Sequence, residues 1–138
     1  MRERYWLLTL ALAMGGGMAL NLLLKQAYAR ARPHFDDPWV TLHSYSFPSG
    51  HTAAATLLYG VMAAFLVAHF YDWRQRAACL TGAFLAVALV AFSRMYLGAH
   101  YLSDIVAATC SSVVWLVLCL SAVHSLVRRR MARAARTA

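Results

Sequence analysis

Residues 105–127 read IVAATCSSVVWLVLCLSAVHSLV and contain no Asp, Glu, Lys or Arg. A helix of these residues would be about 35 Å long, enough to cross the roughly 30 Å hydrocarbon core of a bilayer. The same charged residues are absent from three further stretches, Tyr5–Leu24, Thr52–Tyr71 and Ala77–Ser93. The pattern predicts an all-α fold, a polytopic bundle of four transmembrane helices.

The composition agrees with a single membrane domain that covers residues 1–138. The hydrophobic fraction is 62% and the charged fraction 13%, which excludes a disordered chain and disfavours a soluble one. Nine Lys or Arg residues fall on the side of the termini and four on the other side. By the positive-inside rule, the termini are expected in the cytoplasm of a plasma-membrane protein. The basic tail, residues 128–138, is therefore interpreted as an anchor near anionic lipid, and no nucleic-acid partner is expected.

The remaining charges collect in three short motifs on the outer side of the predicted bundle. In chain order they are Lys25-x6-Arg32-Pro33, then Pro48-Ser49-Gly50-His51, then Ser93-Arg94-x5-His100-x3-Asp104. The second motif opens a helix, whose free backbone N–H groups favour an anion. The cations of the other two motifs could neutralise phosphate oxygens. The motifs together predict a phosphate site that faces the periplasm or the cell exterior.

The histidines of these motifs suggest how such a site could react. His100 and Asp104 are four residues apart, so they share a face if that segment is helical. The carboxylate could then hold Nδ1–H and leave Nε2 free as a nucleophile. His51 is a second imidazole that could protonate the leaving oxygen. Each feature alone is ordinary, a helix cap or an i,i+4 pair, and the coincidence of all of them carries the prediction.

The three motifs resemble the type 2 phosphatidic acid phosphatase and vanadium haloperoxidase superfamily. The resemblance implies a metal-independent phosphatase of lipid phosphates or diphosphates that works through a phosphohistidine. It implies that His51 is the acid, His100 the nucleophile and Asp104 the partner that orients it. It also implies phosphate binding by Lys25, Arg32, Ser49, Gly50 and Arg94.

The chain departs from this family in one respect. Membrane members usually have six helices, so the four spans suggest that the two preceding the lysine motif are missing, in a short form, a fragment or a late-starting gene model. Arg30 matches no motif position, and its replacement by Lys is expected to be nearly silent. Asp36 and Asp37 offer too few carboxylates for a metal beside three cations, so neither a metal nor another cofactor is expected.

Three lipid substrates fit this interpretation: a polyprenyl diphosphate, phosphatidylglycerophosphate and phosphatidic acid. The outward face mildly favours recycling of undecaprenyl diphosphate. A vanadate-dependent haloperoxidase would use the same pocket, but its oxidant and halide need no membrane. An inactive membrane scaffold would have no reason to keep the two histidines, the aspartate and the cations in order. The sequence leaves the oligomeric state open.

Overall fold

The computed structural model describes residues 3–34 and 44–137 and confirms the four predicted helices. They are α1 (Glu3–Tyr28), α2 (Gly50–His69), α3 (Trp73–Tyr96) and α4 (Leu102–Thr137). Each is long and apolar enough to cross a membrane. The predicted span Thr52–Tyr71 runs two residues too far, because the backbone becomes extended at Phe70. Up to Thr137, the basic tail is not a separate segment but a continuation of α4.

Short polar residues set where the inner helices begin. Ser49 caps α2, because its hydroxyl accepts hydrogen bonds from the backbone N–H of Thr52 at 3.4 Å and from the Thr52 hydroxyl at 3.0 Å. Asp72 caps α3 by accepting the N–H of Arg74 at 3.1 Å. After α3 the chain turns at Gly98, whose φ of 64° lies in the left-handed region that glycine adopts without strain.

Helix α2 occupies the centre of the bundle and packs against α1, α3 and α4, and α1 also packs against α4. Glycine allows α1 to approach its neighbours closely. A Cβ atom on Gly17 would lie 2.5 Å from Cδ1 of Leu57, and one on Gly16 would overlap the ring of Trp115. Leu57 is fully buried and belongs to the apolar core with Val61 and Leu116.

The outer surface of α3 is apolar. Leu80, Phe84 and Leu89 are more than half exposed, which suits side chains that face lipid. Because the four helices alternate in direction, one end of the bundle holds the end of α1, the start of α2, the end of α3 and the start of α4. All three sequence motifs lie at this end.

Candidate active site

Backbone hydrogen bonds bring the motifs together. Ser49 N–H donates to the carbonyl of Asp104 at 3.2 Å, which ties the start of α2 to the start of α4. Ser46 N–H donates to the carbonyl of Arg30 at 2.8 Å, which ties the loop before α2 to the chain after α1. Both serines are fully buried. The motifs, separated by up to about 75 residues, therefore form one site.

A cavity of about 360 Å³ lies between these segments. It is lined by Met18, Lys25, Arg32, Ser44, Gly50, His51, Ala54 and His100. Five predicted site residues thus lie on its wall, and two of them are cations. The positive wall at the start of a helix suits an anion.

The two cations on the wall already have hydrogen-bond partners. Lys25 Nζ donates to the carbonyl of Tyr45 at 2.6 Å. Arg32 donates to the carbonyl of Ser44 at 2.7 Å and, through Nη1, to the carbonyl of Ala99 at 2.7 Å. Its Nη2 also reaches the Ser44 hydroxyl at 3.0 Å and the Tyr45 carbonyl at 3.3 Å. Oxygen atoms of the protein therefore occupy most donors of Arg32 and one of the three N–H donors of Lys25.

His100 is buried, and its proton is assigned by its neighbours. Arg32 Nη1 lies 3.3 Å from Nε2 of the ring. A guanidinium only donates, so Nε2 is the acceptor and the proton resides on Nδ1. Nδ1 lies 3.5 Å from Asp104 Oδ2 and has no hydrogen-bond partner in the part of the chain that the structure describes. Burial, and then the positive charges of Arg32 and Lys25, lower the pKa of His100 to about 4. At neutral pH the ring is uncharged, with its lone pair on Nε2.

The predicted helical spacing between His100 and Asp104 is wrong, although the two side chains do meet. Helix α4 begins only at Leu102, so His100 precedes it. Asp104 instead folds back on the first turn, where Oδ2 accepts the N–H of Tyr101 at 2.9 Å and the hydroxyl of Ser46. A carboxylate near the start of a helix is stabilised by the backbone N–H groups there, which have no acceptor within the helix.

The three remaining phosphate-site residues lie in different surroundings from one another. His51 is exposed on the cavity wall, and its ring makes no hydrogen bond among residues 3–34 and 44–137. The Ser49 hydroxyl is buried as the cap of α2. Arg94 Nε lies 3.3 Å from the Ser93 hydroxyl, and Arg94 is not on the cavity wall. Phosphate roles for Ser49 and Arg94 remain predictions.

Sequence reasoning missed the partners of Asp104. Arg30 Nη1 lies 3.0 Å from Asp104 Oδ1 and 2.6 Å from the hydroxyl of Ser103. Ser46 supplies the other side-chain donor to the same carboxylate. The only signal in the sequence was the position of Arg30 beside Arg32, which is too general to predict a pair 74 residues apart.

No metal-binding group of three or more His, Cys, Asp or Glu side chains occurs within the described ranges. Asp36 and Asp37 lie outside the described residues.

Comparison with known proteins gives one family. The profile of the PAP2 superfamily matches residues 6–128. Phosphatidylglycerophosphatase B of Bacillus subtilis (strain 168) is 40% identical over 100 residues, which are 71% of this chain and 48% of that protein. The chain thus spans about half the length of this curated relative. A transmembrane PAP2-type phosphatidylglycerolphosphate phosphatase from Bacillus subtilis, solved by crystallography, matches with a TM-score of 0.76 and 34% identity. That match covers 83% of this chain and 57% of the solved one.

Proposed function

Because this chain belongs to the PAP2 superfamily, as a multi-pass integral membrane protein, we propose that it hydrolyses a lipid phosphate without a metal ion. The substrate favoured here is phosphatidylglycerophosphate, since both similar proteins from Bacillus subtilis are described as phosphatases of that lipid. A polyprenyl diphosphate and phosphatidic acid are the competing substrates, because both place a phosphate at the bilayer surface.

The observation that carries this proposal is the state of His100. Its uncharged ring lies on the wall of a cationic cavity, with Nε2 beside Arg32 and Nδ1 towards Asp104. A nucleophile needs its lone pair where the phosphorus atom will lie, and Nε2 provides one when Arg32 turns its Nη1–H from the ring to a phosphoryl oxygen. The neighbouring cations would hold the phosphoryl oxygens during the attack.

The proposed reaction has two displacements. Nε2 of His100 attacks phosphorus, the P–O bond to the lipid breaks, and His51 gives a proton to the leaving alkoxide. The imidazole then carries a positive charge, which the carboxylate of Asp104 stabilises through Nδ1–H. Water next attacks the phosphohistidine, His51 takes a proton from that water, and inorganic phosphate leaves with His100 restored.

The phosphate itself would be bound by charges and backbone donors. Lys25 and Arg32 would exchange their carbonyl partners for phosphate oxygens. The backbone N–H groups at Gly50, at the start of α2, would also donate to the phosphate. Arg94 would complete the set by turning from Ser93 towards the cavity. Ser49 would act through the cap that fixes the first turn of α2.

Phosphate release from a lipid panel tests the proposal. The purified protein in detergent is given phosphatidylglycerophosphate, phosphatidic acid, a polyprenyl diphosphate and water-soluble glycerol 3-phosphate. We expect the fastest release from phosphatidylglycerophosphate, little from the soluble ester, and no loss of rate with a chelator. Activity that a chelator abolishes, or no release from any lipid, would refute the proposal.

The pKa of His100 predicts the acid limb of the reaction. As pH falls through about 4, a proton occupies Nε2 and removes the nucleophile, so kcat/KM should fall only there. The lipid phosphate itself takes up a proton near pH 6, so the profile is corrected by titrating the substrate. Burial and the charges of Arg94, Arg32 and Lys25 lower the pKa of His51, which must be protonated to act as the acid, so the corrected kcat/KM should rise as pH falls below 7 and decline again only near pH 4. An acid limb at 6.5 or above would contradict the burial of a neutral ring.

The expected orientation in the membrane is testable by cysteine labelling. In a variant without the native cysteines, His34→Cys lies at the end of the bundle that holds the site, and Gln75→Cys lies at the other end. We expect an impermeant maleimide to label position 34 in intact cells and position 75 only after permeabilisation, since the positive-inside rule places the termini in the cytoplasm. The reverse labelling would place the site in the cytoplasm.

A further inference from the structure

Arg30 is a cation of the site that does not line its cavity. Its Nη1 donates to the Ser103 hydroxyl at 2.6 Å and forms an ion pair with Asp104 Oδ1 at 3.0 Å. Its guanidinium also lies over the ring of Tyr101, 4.2 Å from the centroid. These contacts place the charge of Arg30 beside the carboxylate of Asp104 and not on the wall of the cavity.

The carboxylate of Asp104 needs such a partner. Its side chain is fully buried, and a buried charge without a compensating partner is strongly destabilising. His100 cannot supply the compensating charge, because the low pKa of His100 keeps its ring neutral at pH 7. Among the described residues, Arg30 is the Lys or Arg side chain that forms an ion pair with Asp104.

The contacts also orient the carboxylate. Arg30 takes Oδ1, while the Ser46 hydroxyl and the Tyr101 N–H take Oδ2. With both oxygens fixed, Oδ2 is the atom that lies 3.5 Å from Nδ1 of His100.

We propose that Arg30 is a positioning residue of the reaction, which pairs with the Asp104 carboxylate and keeps it turned so that Oδ2 receives Nδ1–H of His100 as the ring becomes charged. The inference rests on the proposed function, because the ring acquires that charge only when it attacks phosphorus. It assigns a role to Arg30, which matches no position of the sequence motifs. A lysine would keep the charge but could neither reach both Ser103 and Asp104 with one planar group nor stack equally well on Tyr101.

Kinetics of four variants test the inference: R30Q, R30K, D104N and the double variant R30Q/D104N. In R30Q we expect kcat to fall about 10- to 100-fold while KM stays within about twofold, because Arg30 acts through another residue and not on the anion. The acid limb of kcat should move to higher pH, since the carboxylate of Asp104, no longer neutralised by Arg30, raises the pKa of His100 more strongly. R30K should lose less than R30Q, and the double variant should be no slower than D104N.

The matched control is Arg76→Gln, which removes an exposed arginine whose Nε donates to the carbonyl of Phe70 at the opposite end of the bundle. It should keep the parent kcat and pH profile. Three results would overturn the inference: additive losses in the double variant, a rise in KM at constant kcat, or an unchanged pH profile in R30Q.

A measurement without substrate separates this inference from the proposed function. Nitrogen NMR of ring-labelled histidine reports the His100 tautomer in detergent, with His100→Gln assigning the signal. The parent should show Nδ1–H, and R30Q should keep this tautomer, since Arg32 still faces Nε2, but with a shifted Nδ1–H signal because Asp104 is no longer held towards it. The same Nδ1–H signal in both proteins would overturn the inference. A shifted signal in a protein that hydrolyses no lipid phosphate would support the positioning role and refute the proposed function.

Discussion

Replacing His100 by Ala should abolish turnover and any covalent phosphoenzyme. Without a metal ion the proposed nucleophile is a side chain, and His100 has its ring on the cavity wall with Asp104 behind it. Loss of a nucleophile removes the reaction path itself, so we expect a fall of about 10⁴-fold or more in kcat. Brief reaction with ³²P-labelled lipid followed by denaturation should trap an acid-labile, base-stable label in the parent and none in the variant.

His69→Ala is the control for this experiment. It removes a histidine at the opposite end of α2, where Nδ1 lies 2.7 Å from the carbonyl of Phe65. It should keep both the activity and the label. Label that persists in H100A, or that maps to His51 in the parent, would contradict the assignment. Equal thermal stability of H100A and the parent separates a lost nucleophile from a lost fold.

Replacing His51 by Ala should give a defect that depends on the leaving group. An alkoxide leaving group needs a proton, and a general acid typically contributes about 10²–10⁴-fold, so that is the expected loss with a lipid monophosphate. A nitrophenolate or a phosphate leaves without that help, so the loss should be much smaller with a nitrophenyl ester or a diphosphate. The ring of His51 is exposed on the cavity wall that also holds His100, as a proton donor to the leaving oxygen requires.

The second half-reaction gives an independent check on His51. If His51 also takes the proton from water, H51A should accumulate phosphohistidine when the leaving group is good. An equal loss with all leaving groups and no accumulation would instead mean that His51 binds substrate and moves no proton. Thr52, which follows His51, bonds the capping Ser49, so unchanged thermal stability is the control for an intact start of α2.

The sequence predicts the helices of this protein well and its polar contacts only in part. The spans were visible because one physical requirement, the exclusion of charge from about 20 consecutive residues, acts on every position of a membrane helix. The end of α2 was less visible, because Phe70 and Tyr71 are as apolar as the helix before them. The continuation of α4 to Thr137 was missed because the exclusion of charge, on which the spans were drawn, ends at Val127, although the arginines and alanines that follow are good helix formers in water.

The site shows the same division. Lys25, Arg32 and His100 were predictable because their residue types and spacing form a motif. The partnership of Arg30 with Asp104 depends on how the chain returns across 74 residues, which no local pattern encodes. The start of α4 at Leu102 was also hidden, so the condition for a shared helical face of His100 and Asp104 is not met, although their side chains lie close together.

The oxygen atoms that Lys25 and Arg32 contact in the cavity have a consequence for the release of product. An orthophosphate ion that takes these donors of Arg32 must displace the carbonyls of Ser44 and Tyr45 from them, and to take all three donors of Lys25 it must displace Tyr45 there as well. Its affinity is therefore the difference between two similar sets of hydrogen bonds and not their sum. We therefore expect weak inhibition by the phosphate product. The lipid portion of the substrate must then supply the affinity by which the protein distinguishes an uncleaved lipid phosphate from free phosphate.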